Sequence, residues 1–153
     1  MFSCPVGSYP NLNQIEFLKE FSFKLSSFKE NFDNLVFCMN IIKKNNPSTK
    51  VILTLSPVSL LATNRIDVDI LSANSNSKAV LRSVIDSVAR LYDFVYYFPS
   101  YEIATIACPQ MGIPTFDVNH KYGANHLNKN IVEKIMNTFE SIHLLPENEI
   151  LTK

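Results

Sequence analysis

Residues 50–56 read Lys-Val-Ile-Leu-Thr-Leu-Ser, a short run of mostly β-branched and apolar residues bounded on both sides by polar turn residues. That pattern is a buried strand rather than a half-exposed one, because a strand covered on both faces has no reason to alternate apolar with polar. Burial on both faces is what a parallel sheet demands, so this segment predicts an α/β architecture. Working outward, Asp93-Phe-Val-Tyr-Tyr-Phe98 gives a second strand. Between the two, Val80, Leu81, Val84, Ile85, Val88 and Leu91 recur at helical spacing within Lys78 to Tyr92, an amphipathic helix. Upstream, Ser27-Phe-Lys-Glu30 is a capping box in which hydroxyl and carboxylate each satisfy a free backbone N–H. Leu35, Cys38, Met39 and Ile42 follow on the inward face until Asn45-Asn46-Pro47 ends the helix. Downstream, Asn128 to Ser141 forms a third helix with Ile131, Val132, Ile135, Met136 and Phe139 inward.

Helix, strand, helix, strand, helix is the alternation of a parallel α/β sheet. Two strands leave that sheet incomplete, since each parallel strand needs neighbours for its backbone groups. Either weaker strands lie in the loops, for example around Ile113 to Val118, or the chain is the second half of a larger doubly wound domain. Residues 1–13, with Pro5, Gly7 and Pro10, form an irregular lead-in. The expected organisation is one partial domain over 1–145 and a frayed tail over 146–153.

Composition narrows function mainly by exclusion. Lysine plus arginine and aspartate plus glutamate both number 14, giving zero net charge without a like-charge run, so electrostatic capture of nucleic acid or an anionic membrane is not expected. No apolar run approaches the roughly 20 residues that span a bilayer, and no secretory leader pattern is present. The expected location is cytoplasmic. The chain has only three glycines, Gly7, Gly112 and Gly123, which excludes a glycine-rich phosphate cradle and the G-x-S-x-G nucleophile elbow. Cys4, Cys38 and Cys108 are odd in number and widely spaced, so no disulfide framework or zinc site is predicted; Cys38 reads as a small packing residue of the first helix. His143 stands apart from the other two histidines, and no metal or cofactor is implied.

The candidate chemistry gathers in Phe116-Asp-Val-Asn-His-Lys-Tyr-Gly-Ala-Asn-His-Leu-Asn-Lys-Asn130, which holds His120 and His126 just before the last helix. In an open α/β sheet, reactive groups sit at the carboxyl ends of strands and in the loops leading into helices. The "SPV" after the first strand, the "PSYE" after the second and these histidines all belong to that edge. Ser56 closes the first strand, where its hydroxyl is expected to satisfy the turn at Pro57. Ser75 or Ser77 reads as the cap of the second helix, with Lys78 a solvated first-turn residue. The aromatics of "LYDFVYYFPSYE" read as sheet core plus a tyrosine hydroxyl contact near Glu102.

Three segments, "NPSTKVILTLSPVSLLAT", "ANSNSKAVLRSVID" and "YYFPSYEI", resemble in order and spacing the C-terminal half of the GSCFA-domain family, a branch of the SGNH hydrolase superfamily. The resemblance covers roughly Pro5 to Phe139. It implies a three-layer, flavodoxin-like parallel sheet and ester hydrolysis or acyl transfer by a serine nucleophile, a glycine–asparagine oxyanion hole and a late Asp-x-x-His pair. Asp117-Val-Asn-His120 has that spacing, whereas His126 has the family's position at the head of the final helix with Gly123, not aspartate, three residues before it. The catalytic candidates are therefore His126, then His120 and Asp117. In the family the nucleophile lies in a Gly-Ser-Cys-Phe-Ala stretch that these 153 residues do not contain; Gly7-Ser8 is the sole Gly-Ser pair and is not preceded by a strand pattern.

Two readings follow. In one, the chain supplies the late half of an SGNH-type site and works with an N-terminal half-domain chain or as a homodimer on an acyl ester. In the other, it is a catalytically inactive binding module that keeps the fold.

Overall fold

The computed structural model describes residues 24–63, 65, 67–117 and 126–144. Helix α1 spans Phe28–Asn45 and strand β1 Val51–Thr54; α2 covers Ile70–Leu91 and β2 Val95–Phe98. A continuous helical segment follows, made of α3 (Ser100–Glu102), a π-helical stretch (Ile103–Ala107) and α4 (Cys108–Gln110), and α5 spans Lys129–His143. Among the described residues the sheet has two strands, β1 and β2, paired parallel in the register Val51↔Val95 to Thr54↔Phe98. The fold is thus α/β with a small parallel sheet.

Local chemistry explains the ends of these elements. The capping box at Ser27 is formed: Glu30 N–H donates to Ser27 Oγ at 3.2 Å, and Ser27 N–H to Glu30 Oε2 at 2.9 Å. Hydrogen bonds from Lys24 and Ser27 hold the Glu30 carboxyl down at about 2. Asn46, before Pro47, leaves helical geometry at φ −141° and ψ 91°. The helical segment 100–110 closes in a Schellman motif, in which Ile113 N–H reaches Cys108 O at 2.9 Å and Gly112 N–H reaches Pro109 O at 3.0 Å. That turn needs a left-handed residue, and Gly112 takes it at φ 70°.

Two apolar clusters sandwich the sheet. On one side Met39, Val84, Val88, Phe94 and Val95 are buried, with Phe32, Leu35 and Val36 of α1 packed against them. On the other, Phe98, Ala104, Cys108, Ile131 and Ile135 form a core edged by Ile52, Ile113, Leu127 and Phe139. Phe98 meets Phe139 edge-to-face, 5.2 Å between ring centroids. Residues from helices before and after the strands therefore cover both faces, as a parallel sheet requires.

Several sequence expectations are corrected. Helix α2 begins at Ile70, capped by Asp69, whose Oδ1 accepts from Leu71 and Ser72 N–H at 2.9 Å each; Ser75 and Ser77 are helix-interior residues, and Ser77 is buried. Cys38 is exposed, because Phe32, Leu35, Val36, Met39 and Ile42 already fill the inward stripe of α1. Val132, Met136 and Leu91 are exposed rather than inward. Around Ile113 to Val118, the described residues form no third strand but a single antiparallel bridge, Phe116↔Leu127. No helix among the described residues is long and apolar enough to cross a membrane. The lead-in 1–13, His120 and the tail 146–153 lie outside the described residues.

Candidate functional site

The carboxyl ends of the two strands are tied by hydroxyls. Ser100, which opens the helical segment after β2, places its Oγ in hydrogen-bond contact with Thr54 Oγ1 and donates to Leu55 O at 3.2 Å. Beyond them, Ser56 is exposed and its Oγ accepts from Val58 N–H at 3.3 Å. This is the turn-satisfying role expected from Pro57 at the next position. Among the described residues the Ser56 hydroxyl has no histidine or carboxylate partner.

Lys78 departs from its sequence reading. It sits two turns inside α2, and its Nζ donates to Ser56 O at 2.7 Å and Val58 O at 2.8 Å. A side chain expected to be solvated thus fastens the loop that leaves β1. Burial pushes its ammonium pKa down. One turn on, Arg82 Nε pairs with Glu102 Oε1 at 2.7 Å, while Tyr97 OH donates to Glu102 Oε2 at 2.6 Å. The Arg82 guanidinium also lies over the Tyr97 ring, 4.0 Å from its centroid. Burial alone would raise the Glu102 carboxyl, but the bonds from Tyr97 and Arg82 outweigh it and leave the group below its ordinary value. Burial and the bond to Glu102 push the Tyr97 hydroxyl well above its own. The tyrosine contact near Glu102 was legible in the sequence; the arginine was not. The spacing of Lys78 and Arg82, four residues apart on one helical face, was the signal available for it.

Asp117 and His126 are brought together by backbone. Asp117 N–H donates to His126 O at 2.9 Å, and Asn128 N–H donates to Thr115 O at 2.8 Å on the other side of the Phe116↔Leu127 bridge. Both candidates are half-buried. The bridge is anchored because Ile113 and Leu127 pack on the core around Phe98. Two residues after His126, Asn128 caps α5 by accepting from Asn130 N–H at 3.1 Å. His126 therefore stands at the head of the last helix, as the sequence suggested.

An open groove of ≈ 440 Å³ runs beside β1, lined by Leu35 and Cys38 of α1, by Leu53 and Ser56, and by Lys78 and Ile85 of α2. Neither Asp117 nor His126 lines it. Among the described residues, no group of three or more histidine, cysteine, aspartate or glutamate side chains is placed to hold a metal ion.

A model described as the GSCFA family matches residues 3–139. No curated protein and no solved structure gives a significant match.

Proposed function

Because the chain belongs to the GSCFA family, we propose that it contributes the late, acid–base part of an SGNH-type site for ester hydrolysis or acyl transfer, on a flavodoxin-like three-layer domain over residues 1–145. The observation that carries this reading is the antiparallel bridge that sets Asp117 beside His126 at the start of α5. In such a site the imidazole takes the proton from an attacking hydroxyl and returns it to the leaving group. A nearby carboxylate orients the ring and stabilises its charged form. His126 is assigned the base and Asp117 the orienting carboxylate; His120 is the alternative base.

The family's Gly-Ser-Cys-Phe-Ala stretch is absent from these 153 residues; on this reading the nucleophile and the oxyanion donors are supplied by another polypeptide segment, since triad members act as a unit and a lone histidine retains little activity. A second reading, a binding module without chemistry, is favoured by one specific observation: the exposed Ser56 hydroxyl is engaged by its own turn and has no base among the described residues.

A fluorophosphonate probe and a short-chain ester assay separate the two. The chain alone should neither label nor turn over ester. Mixed with a polypeptide bearing the Gly-Ser-Cys-Phe-Ala segment, it should stimulate labelling of that serine, and His126→Ala should abolish the stimulation. Stimulation that survives both His126→Ala and His120→Ala would remove the acid–base assignment.

A further inference from the structure

The groove beside β1 takes no part in the proposed chemistry, and the charge at one end of it is left unanswered. It runs past Leu53 to Ser56, just beyond the carboxyl end of β1, which is where open α/β sheets bind their ligands. Its walls are apolar: Leu35 of α1, Leu53 of β1 and Leu81 of α2 line it, and each is half-buried. Leu35 and Leu53 also pack on the core around Val88, so this apolar surface is held in place. At ≈ 440 Å³ the groove falls within the roughly 300–1,000 Å³ of small-molecule sites.

Lys78 supplies the charge. Its Nζ stands at the Ser56 end of the groove, donating to the Ser56 and Val58 carbonyls. An ammonium has three donors, and the third meets no partner among the described residues. None of the ion pairs among those residues includes Lys78, and no aspartate or glutamate lines the groove. On the adjoining turns of α1, Glu30 and Asp33 are paired with Lys24 and Lys29. Arg82, one turn beyond Lys78, is committed to Glu102. Lys78 is half-buried, and burial lowers its pKa with no carboxylate to oppose the shift. A cation that has given up water without gaining an anion is stabilised by one placed beside it.

We propose that the groove binds an aliphatic carboxylate, its chain along Leu35, Leu53 and Leu81 and its head group on the third N–H of Lys78. A lone ammonium suits a monoanion, because the groove holds neither the arginine fork nor the glycine cradle that grips phosphate. The leucine walls favour a hydrocarbon chain over a wholly polar anion, whose other polar atoms would lose their hydrogen bonds against them. Neither Asp117 nor His126 lines the groove, so this inference does not depend on the proposed chemistry.

Calorimetric titration of the 153-residue chain with hexanoate, decanoate and decylamine tests it, with alkylation of Cys38 as the marker of place. Cys38 is exposed and lines the groove, whereas Cys108 is buried, so the alkylation is followed in Cys4→Ser. Decanoate should saturate one site and bind at least ~10-fold more tightly than hexanoate, because each methylene taken out of water adds to affinity. Decylamine, with a similar chain and the opposite charge, should bind at least ~10-fold more weakly than decanoate. Decanoate should also slow the alkylation of Cys38 in step with its occupancy. Lys78→Met should weaken decanoate at least ~10-fold. Should that variant not fold, Cys38→Glu, at an exposed position, puts a like charge in the groove and should have the same effect. Absence of saturable decanoate binding overturns the proposal, as does equal affinity for decanoate and decylamine. Binding that leaves Cys38 unprotected, or that is undiminished in the folded variant, overturns it too, because the ligand then sits elsewhere.

Discussion

The surroundings of Arg82 and those of His126 are held in different ways. Around Arg82, side chains make the structure: guanidinium, carboxylate, phenol and ring form one closed network between α2, β2 and α3. Around His126, the bonds that close the loop run between backbone atoms, Asp117 to His126 and Asn128 to Thr115. A side-chain network demands particular residues at particular spacings, whereas a backbone bridge accepts almost any sequence. The segments that carry the family resemblance, "NSNSKAVLR" and "FPSYE", therefore turn out to hold Lys78, Arg82 and Glu102, residues that fix the strand ends. The candidate acid–base residues sit in a segment held by backbone bonds and by the packing of Ile113 and Leu127 on the core.

The contrast predicts a graded series of effects on stability. The largest belongs to the core under both regions. Phe98 is 4% exposed and packs on Phe139, so Phe98→Ala should cost about 3–5 kcal/mol. Against the total stability of an ordinary domain, roughly 5–15 kcal/mol, that leaves little or no cooperative transition in thermal unfolding. A variant that melts like the native chain would mean the two-strand sheet is not the centre of the fold.

Next comes the network. Glu102→Ala leaves Arg82 and Tyr97 without their shared acceptor, a loss of about 1–3 kcal/mol for a hydrogen-bonded group, reduced toward the low end because the Glu102 side chain is 30% exposed. Its pH dependence has a definite sign. The folded Glu102 carboxyl titrates below its ordinary value, so its contribution is complete above the ordinary glutamate pKa and is lost as pH falls through the lower folded value. Tyr97 titrates above its ordinary value, so its contribution is complete below about pH 10 and is lost as pH rises through the folded value. Urea titrations should lose stability at both extremes, with Glu102→Gln flattening the acid limb and Tyr97→Phe the alkaline one.

Smaller again is Lys78→Met, which keeps the stem but frees the Ser56 and Val58 carbonyls, at about 1 kcal/mol. Its signature should be local: faster amide exchange in the loop after β1 with β2 unaffected. Equal acceleration in both strands would show that Lys78 supports the whole sheet.

Legibility in the sequence follows the same division. The start of α1 could be read because a capping box is complete within four residues. The start of α2 could not, since Ser72 to Ser77 are small and polar and hide two helical turns that pack through Ala73 and Ser77. Small side chains there allow close approach without leaving an apolar period to detect. Cys38 was misplaced by a single step of helical phase, between an inward stripe ending on Met39 and an outward face of Phe37 and Ile41. Lys78 and Arg82 were visible as a motif, but the carbonyls and the carboxylate they hold arrive only through tertiary contact. The position of His126 before α5 was legible because Ile131, Ile135 and Phe139 recur at helical spacing just after it; its pairing with Asp117 depends on a bridge that no local pattern encodes.

The smallest expected change in stability is the most informative one. Asp117→Asn and His126→Gln preserve side-chain volume and a hydrogen-bonding group and leave the backbone bonds between the two residues in place, so each should alter unfolding by less than about 1 kcal/mol. If the pair serves chemistry, the same substitutions abolish the stimulation of serine labelling, and function separates cleanly from stability at these positions. Around Glu102 no such separation is expected, because there the side chains are the structure. A melting temperature that falls as far in His126→Gln as in Glu102→Ala would erase the distinction between the two regions. It would make His126 a structural residue of the bridge and leave His120 to carry the acid–base role.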